Sequence, residues 1–365
     1  MPQIKDICNY LEEWAPRPYA ENYDNVGLLV GDYNADVSGV LVSLDCTEAI
    51  VDEAIEKGCN LIVSHHPILF KGLKKLIGSN YVERTIVKAI KNDIALYAIH
   101  TNLDNVQDGV NAKIADIIGL SNPRILRPNG ETLQKLTVFI PNAEAENLRS
   151  ALFSSGAGVI GNYSNCSFNL EGKGTFKALE DANPAVGEIG ETHTESETRI
   201  EVMFPSILKN RVLTAMKEAH PYEEVAYYLH SLDNTNQYLG SGMVGVLENP
   251  IPTKEFMNQL KEKMGLPIIR HTNLVKKEVK TIAICGGSGS FLLNDAKRSG
   301  ADVFITGDFK YHEFFDAEND IVIADIGHFE SERFTIDLIA ENLLKKFTTF
   351  AVRLTEVNTN PIHYF

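Results

Sequence analysis

The sequence predicts an α/β protein with two similar lobes and an α+β segment inserted between them. Short apolar runs alternate with helical segments in the first and last thirds of the chain, and these two thirds align with each other. Between residues 129 and 237 the order of predicted elements changes. Strands that alternate with helices are typical of a parallel sheet covered by helices. We therefore expect a first lobe over residues 1–128, an insertion over 129–237 and a second lobe over 238–365.

The first lobe begins with a helix over residues 4–14, where apolar residues recur at helical spacing until Pro16 and Pro18 end the pattern. A turn then feeds a short strand near residues 24–31. The segments that follow are predicted as strands 39–44, 60–64 and 95–99, with helices 47–57 and 82–92 between them.

Two adjacent histidines, His65 and His66, follow the apolar run 61–63 and are closed by Pro67. The carboxyl end of a parallel strand is where α/β folds bind ligands. Adjacent side chains on a strand point to opposite faces, so two metal ions, one per histidine, are the more natural arrangement. Taken alone, the pair is equally compatible with two ordinary loop histidines.

The middle segment is predicted to follow the split βαβ, ferredoxin-like order with an additional hairpin arm. Its elements are strand 136–140, helix 143–154, strands 162–169 and 175–179, a solvated polar loop 188–198, strand 199–204, helix 207–219 and strand 225–230. Residues 220–227, His-Pro-Tyr-Glu-Glu-Val-Ala-Tyr, resemble those of PII-like or CutA-like domains. The same phrase is also typical of a helix end at Pro221 followed by a strand, and it has no ligand spacing.

The last third repeats the pattern of the first. Residues 40–66 align without a gap on residues 282–308, and the strand before His100 matches the strand before His328. Agreement over a whole βαβ unit indicates a duplication. The predicted elements are helix 253–264, strand 281–284, helix 291–299, strand 302–306, helix 312–317, strand 321–325, a helix from 327 to 344 and strand 350–356.

Composition excludes several classes of protein. The formal net charge is −15 and the pI is near 5.2, which disfavours a broad nucleic-acid-binding surface. The sequence has no apolar run of membrane-spanning length and no signal-peptide pattern at its start. The cysteines are odd in number and lack CxxC spacing, which predicts a reducing, cytoplasmic environment.

Polar residues at the predicted strand ends indicate a metal site shared between the lobes. The candidates are His65, His66, Asp104, His328 and Glu332. His328 and Glu332 are four residues apart at a helix start and therefore share a face. Imidazole and carboxylate ligands suit two divalent ions such as zinc, iron(II) or manganese, and five ligands for two ions leave open positions, as in catalytic sites. A water activated by both ions would then be the nucleophile.

Six phrases of the sequence resemble the family of GTP cyclohydrolase 1 type 2 homologues, also called NIF-three-like proteins. They are Asp-Asn-Val-Gly-Leu at 24–28, Ser-His-His-Pro at 64–67, His-Thr-Asn-Leu-Asp at 100–104, Cys-Gly-Gly-Ser-Gly at 285–289, Ile-Thr-Gly-Asp at 305–308 and Gly-His-(x)3-Glu at 327–332. The insertion resembles that of the longer bacterial members. The resemblance implies a dinuclear metal site held by the same five residues, a hexameric ring and an activity on GTP.

Several other residues keep two interpretations. The Gly-rich loop 285–290 is typical either of a phosphate cradle or, more naturally, of tight strand-to-helix packing. His100 is a candidate for orienting a ligand. Asp45, Asp308 and His312 are either neighbours of the site or surface residues, and Glu330 is predicted to point away from His328.

Two function classes follow from these features. The first is a metal-dependent hydrolase of a nucleotide or related heterocycle, which for GTP would attack the imidazole carbon of guanine. The second is a non-enzymatic, metal-binding regulatory ring whose PII-like insertion senses a small molecule.

Overall fold

The computed structural model describes residues 2–130 and 132–365, which form two compact units. The first unit contains the residues up to 128 together with residues 237–365, and the second contains residues 129–236. The predicted mixed α/β class is confirmed, because helices accompany sheets in both units. Over the described ranges, no helix combines the length and the apolar character needed to cross a membrane.

The elements follow one another along the chain in three groups. The first part contains α1 (Ile4–Trp14), β1 (Gly27–Val30), β2 (Gly39–Ser43), α2 (Glu48–Glu56), β3 (Leu61–Ser64), α3 (Tyr81–Lys91), β4 (Ala95–Ala98), α4 (Thr101–Asp104), α5 (Val110–Ile118) and β5 (Ser121–Asn129). The middle part contains β6 (Leu133–Pro141), α6 (Ala145–Ser154), β7 (Phe168–Lys177), β8 (Thr192–Pro205), α7 (Lys209–Ala219) and β9 (Tyr227–Leu232). The last part contains β10 (Asn236–Pro252), α8 (Thr253–Lys263), β11 (Arg270–His271), β12 (Glu278–Ser288), α9 (Leu293–Arg298), β13 (Val303–Gly307), β14 (Val322–Asp325), α10 (His328–Glu332), α11 (Thr335–Lys346) and β15 (Ala351–Leu354), with a 3-10 helix at Tyr311–Ala317.

The two sheets of the first unit share a central topology. One has the order β1-β4-β3-β2-β15 and the other the order β11-β14-β13-β12-β10-β5. In each, three successive strands (β2, β3 and β4; β12, β13 and β14) are parallel neighbours, as the internal alignment predicts. Each sheet also includes one strand from the opposite end of the chain, namely β15 beside β2 and β5 beside β10. The two halves therefore exchange strands.

The main core of the first unit contains residues from both sheets. Val63 of β3 and Ile305 of β13 belong to one cluster of buried side chains, which α1, α5, α8 and α11 complete. The alternate residues of the same strands, Ile62 and Phe304, pack in two smaller clusters on the other faces. Because these strands are buried on both faces, polar side chains are accommodated mainly at the strand ends.

The second unit contains a four-stranded antiparallel sheet in the order β7-β8-β6-β9. Its elements follow the order strand, helix, strand, strand, helix, strand. One face of the sheet is apolar and packs on α6 and α7, with Leu136, Ile200 and Phe204 fully or almost fully buried. The opposite face carries the alternate residues of the same strands.

The structure corrects the prediction for residues 188–198. Their polar composition predicts a solvated loop, but β8 begins at Thr192 and pairs with β7 from Thr192 to Glu201. Backbone hydrogen bonds alone can hold a two-stranded ribbon together, so neither strand needs an apolar face. A strand without an apolar face has no hydropathy pattern by which it could be predicted. The two strands predicted at 162–169 and 175–179 are likewise replaced by the single strand β7.

Candidate metal centre

Two adjacent histidines follow β3, the central strand of the first sheet. The strand ends at Ser64, and the backbone amides of His65 and His66 then donate to the carbonyl oxygens of Ser43 and Leu44, at 3.1 and 2.8 Å. The two ring centroids are 5.0 Å apart. The expectation that the rings point to opposite faces is wrong here, because the alternation applies only within the strand, and these residues lie just beyond it.

Glu332 lies at the centre of the cluster. Its Oε2 is 2.9 Å from His66 Nε2 and 3.0 Å from His328 Nε2, and its Oε1 is 3.8 Å from His65 Nε2. Helix α10 places His328 and Glu332 one turn apart on a single face. Burial alone would raise the pKa of Glu332, but hydrogen bonds with His328 and His66, together with the nearby His65 ring, outweigh burial and hold that pKa well below its usual range.

Asp104 is positioned by the short helix α4, which follows β4. Its Oδ1 lies 3.6 Å from His65 Nε2, and the side-chain amide of Asn111 donates to its backbone oxygen at 3.1 Å. Burial, followed by the charge of Glu332, raises the pKa of Asp104 well above its usual range. The structure therefore brings together all five residues that the sequence singles out.

Each histidine of the five uses its Nδ1 atom for a contact on the outside of the cluster. His66 Nδ1 is 2.8 Å from Asp45 Oδ1, and His328 Nδ1 is 2.7 Å from Asp308 Oδ2. His65 Nδ1 is 2.8 Å from the backbone oxygen of Ile99. Such contacts fix the orientation of an imidazole and direct its Nε2 inward, as around metal ligands. Asp45 and Asp308, which the sequence left with two interpretations, are neighbours of the candidate ligands.

The three histidines differ in their protonation. Burial would lower the pKa of His66, but Asp45 and Glu332 raise that pKa to about 10. The pKa of His328 is raised to about 9 against the effect of burial, chiefly by its hydrogen bond with Glu332. For His65 burial dominates and lowers the pKa to about 4. The contacts with carboxylates thus favour positive charge on His66 and His328 around a buried carboxylate, and bound divalent cations would supply positive charge at the same place.

The donor atoms pass a simple test for metal binding. His65 Nε2 and Asp104 Oδ1 are buried, and neither has a hydrogen-bond partner among the described residues. A buried polar atom without a partner is costly, and a cation would satisfy both. Potential ligand atoms within 4.8 Å of one another form three groups: His66, His328 and Glu332; His65, Asp104 and Glu332; and His65, His66 and His100. The first two groups share Glu332.

The Gly-rich loop 285–290 lies directly against this cluster. A Cβ atom on Gly287, whose φ is +62°, would lie 2.2 Å from Glu332 Oε1, so only glycine fits. The amide of Gly287 donates to Ser331 Oγ and that of Gly286 donates to Asn111 Oδ1, both at 2.9 Å. Since these amides are already bonded within the protein, the loop serves close packing at this point and does not offer them to a phosphate.

A cavity of about 820 Å³ opens onto the cluster, and its lining includes His66, Asp104, His328 and Glu332. His100 also lines it, with its Nδ1 2.9 Å from Asp24 Oδ2. Glu330 accepts a hydrogen bond from Asn360 outside the cluster, in line with the prediction that it points away from His328. His312 lies against the ring of Phe315. The sequence gives no signal for the contact between His100 and Asp24.

Comparison with known proteins assigns the chain to a family. The Duf34/NIF3 (NGG1p interacting factor 3) family model matches residues 2–361. The chain belongs to the Duf34/NIF3 family. A relative from Bacillus subtilis (strain 168), called GTP cyclohydrolase 1 type 2 homolog, is 38% identical over 99% of this chain and 98% of its own length. The relative of the same name from Halalkalibacterium halodurans is 40% identical over 98% of both chains.

Solved structures of Duf34/NIF3 relatives share the fold. The crystal structure of a Bacillus cereus protein related to NIF3 has a TM-score of 0.88 and 37% identity, and it covers 100% of this chain and 99% of its own. A Staphylococcus aureus protein has a TM-score of 0.79 and 33% identity over the same shares. The family resemblance that the six phrases carry is therefore confirmed. The role of the five residues as metal ligands stays a prediction.

Proposed function

We propose that this Duf34/NIF3 protein binds two divalent cations and hydrolyses a nucleotide or a related heterocycle. The observation that carries the proposal is the sharing of Glu332 between two groups of potential ligand atoms. A carboxylate that bridges two cations about 3.5–4 Å apart is typical of dinuclear hydrolytic sites. The first cation would take His66 and His328 with Glu332, and the second would take His65 and Asp104 with the same carboxylate. Zinc, iron(II) and manganese all suit this donor set.

Bound cations would polarise the substrate and lower the pKa of water, which supplies a nucleophile near neutral pH. The chain's own residues prepare the site for this chemistry. Asp45 and Asp308 hold two imidazoles through Nδ1, so that both Nε2 atoms point inward. Because a ligand histidine must be neutral, His66 and His328 would release their protons to solvent on holding a cation.

His100 is the residue we assign to proton transfer to a leaving group. It lines the cavity, and its Nδ1 lies 2.9 Å from Asp24. Burial would raise the pKa of Asp24, but the contacts with His100 and the hydrogen bonds from Thr101 together outweigh burial and bring that pKa to about 2. Asp24 orients the His100 ring through Nδ1, which leaves the other ring nitrogen to exchange a proton with a departing group.

The nucleotide class is supported by the name of the relatives, GTP cyclohydrolase 1 type 2 homolog, and by the size of the cavity. The test begins with an elemental count of metals in protein purified without added metal, for which about two per chain is expected. Protein reconstituted with zinc, iron(II) or manganese is then assayed on GTP, other nucleotides and their nucleosides. Absence of turnover in every loaded form would refute the hydrolase proposal for these substrates.

A second candidate function is ligand sensing by residues 129–236. We infer this alternative from a separate cavity of about 700 Å³ within that unit, lined by the aromatic rings of Phe139, Phe176, Tyr222 and Tyr228. Cavities of this size that are lined by aromatic side chains commonly bind small molecules. If deletion of the insertion abolishes a cellular response while metal content and turnover are retained, sensing is the function of this unit.

The remaining expectations from the family resemblance are also proposals. We propose that residues 129–237 form a ferredoxin-like domain of PII/CutA type, which the observed strand order supports. We propose residues 1–128 and 238–365 as the two lobes, a cytoplasmic location and a hexameric ring. The net charge of −15 supports the expectation that nucleic acid is not a partner. Light scattering on the metal-loaded protein tests the hexamer.

A further inference from the structure

One basic side chain stands out in the cavity that opens onto the candidate metal centre. The lining includes the carboxylates of Glu21, Asp45, Asp104 and Glu332, but only one arginine and no lysine from the described residues. That arginine is Arg127, near the end of β5. A single guanidinium among these carboxylates calls for a physical explanation.

Intramolecular pairing does not explain Arg127. Its closest carboxylate oxygen, Asp295 Oδ2, is 3.9 Å from Nη1, which is too long for a hydrogen bond. Asp295 is instead engaged with Arg298 at 2.6 Å. Over the described parts of the chain, no hydrogen bond leads from the Arg127 guanidinium to another residue. Its side chain is 43% exposed, so its N–H donors remain accessible.

Stacking fixes the orientation of this guanidinium. The Cζ atom of Arg127 lies 4.8 Å from the ring centroid of Phe291, which belongs to the same cavity lining. A cation–π contact with a ring does not use the N–H groups of a guanidinium, and these paired donors match a phosphate or a carboxylate. Stacking also reduces the number of conformations lost when an anion binds.

The Gly-rich loop is the other possible anion site near the cluster, but two of its backbone amides are already hydrogen-bonded within the protein. The backbone amides of Gly286 and Gly287 donate within the protein, to Asn111 and Ser331. Ser288, the next residue of the loop, is in register with Gly307 in the sheet. These two amides are therefore not available to an anion, and Arg127 is the one guanidinium or ammonium group among the described residues that line the cavity.

The cavity also has walls suited to a planar ring. Tyr23, Phe70, Tyr81 and Phe291 all line it, and each keeps at least half of its surface exposed. Exposed aromatic rings in a cavity of about 820 Å³ have the size and the chemistry to hold a heterocycle. Arg127 adds a charged contact beside one of these rings, Phe291.

We propose that Arg127 binds an anionic group, a phosphate or a carboxylate, of an aromatic substrate whose reacting part reaches the candidate metal centre. This inference rests on the proposed function and sharpens it: the substrate is a nucleotide-like anion rather than a free base or a nucleoside. Arg127 is a binding residue of the substrate and takes no part in coordinating metal.

The experiment measures binding rather than turnover. The probes are guanosine 5′-monophosphate, guanosine 5′-carboxylic acid and guanosine, which share a ring system and differ in charge. Calorimetric titrations at fixed ionic strength compare the wild-type full chain with Arg127→Ala and Arg127→Lys, in metal-loaded and metal-free forms. Arg124→Ala is the matched control, because Arg124 is an exposed arginine on the same strand outside the cavity lining.

We expect at least one anionic probe to bind the wild type more tightly than guanosine does. Arg127→Ala should weaken that binding by about 10- to 100-fold, the usual contribution of hydrogen bonds to a charged group. Arg127→Lys should be intermediate, and Arg124→Ala should match the wild type. Guanosine affinity and metal content should be unchanged in all variants, which also verifies folding. The anion with the larger loss identifies the group.

Three results would overturn the inference. They are no preference for an anionic probe in the wild type, undiminished preference in Arg127→Ala, or an equal loss for guanosine. The metal-free titrations separate this outcome from failure of the proposed function. A chain that binds no metal, yet loses anion binding in Arg127→Ala, would retain the anion site and lose the hydrolase proposal.

Discussion

Replacing Glu332 by glutamine removes the carboxylate that both groups of potential ligand atoms share. Two further variants each change a residue of only one group. Asp104→Asn changes the group that contains His65 and Glu332, and His328→Ala changes the group that contains His66 and Glu332. Glutamine keeps the size of the side chain and loses its charge. If Glu332 bridges two cations, Glu332→Gln should impair both sites, whereas the other two variants should impair one site each.

The magnitude follows from what the residues contact. Changing a residue that merely orients a metal ligand typically costs about 10- to 100-fold in metal affinity. Glu332 contacts His66 and His328 directly, at 2.9 and 3.0 Å, and its pKa is held low although burial alone would raise it. Loss of this anionic ligand should therefore weaken each site by at least about 100-fold, or about 2.7 kcal/mol. Metal content should fall from about two per chain to well below one.

Elemental analysis after dialysis against a buffered free-metal concentration measures these contents, and a chromophoric chelator gives the affinities. The control is Glu330→Gln, because Glu330 is buried on the same helix but accepts from Asn360 outside the cluster. Asp104→Asn and His328→Ala should retain about one ion each. Two ions in Glu332→Gln would refute the bridging role, and loss of both ions in either single-group variant would refute the division into two sites.

Two further predictions concern protons and the Gly-rich loop. Metal binding at pH 7 should release about two protons per chain, one each from His66 and His328, since their pKa values of about 10 and 9 keep both protonated without metal. Calorimetry in buffers of different ionisation enthalpy counts these protons; the number should decrease as the pH rises through 9 and 10, and a count near zero at pH 7 would contradict the pKa shifts. Gly287→Ala should lower metal content as well as stability, because its Cβ would meet Glu332, whereas Gly300→Ala, at a similarly positive φ with open space around it, should lower stability by about 1 kcal/mol and leave metal content intact. Urea unfolding and elemental analysis distinguish the two variants, and equal metal content in both would show that the close approach is unimportant.

The five candidate ligands could be predicted from sequence because each follows a recognisable signal. His65 and His66 follow an apolar strand, Asp104 lies shortly after the next strand, and His328 and Glu332 have the spacing of one helical turn. Parallel strands bring their carboxyl ends to one edge, so residues distant in sequence meet there. The ungapped internal alignment extended this argument to the second sheet, whose central strands have the same order and direction.

Contacts that depend on atomic approach could not be predicted in the same way. The need for glycine at position 287 arises from the position of Glu332 Oε1, which no local pattern encodes. Asn111 supports both Asp104 and Gly286, but it belongs to α5, a helix that the sequence analysis did not identify. The close approach of the His65 and His66 rings likewise depends on the backbone just beyond the end of β3, where the alternation of side chains along a strand no longer applies.

The exchange of strands between the two halves also affects the site. The predicted lobe boundaries at residues 128 and 238 gave no indication of this exchange. Strand β15 lies beside β2, and shortly after β15 Thr359 donates to Asp45 Oδ2 at 2.6 Å, while Asp45 Oδ1 contacts His66. The carboxyl-terminal part of the chain thus supports a histidine of the first sheet. In the reverse direction, β5 joins the second sheet and brings Arg127 over Phe291. The exchanged strands therefore supply contacts around the candidate metal centre and its cavity, which explains why these contacts are invisible when each third of the sequence is considered separately.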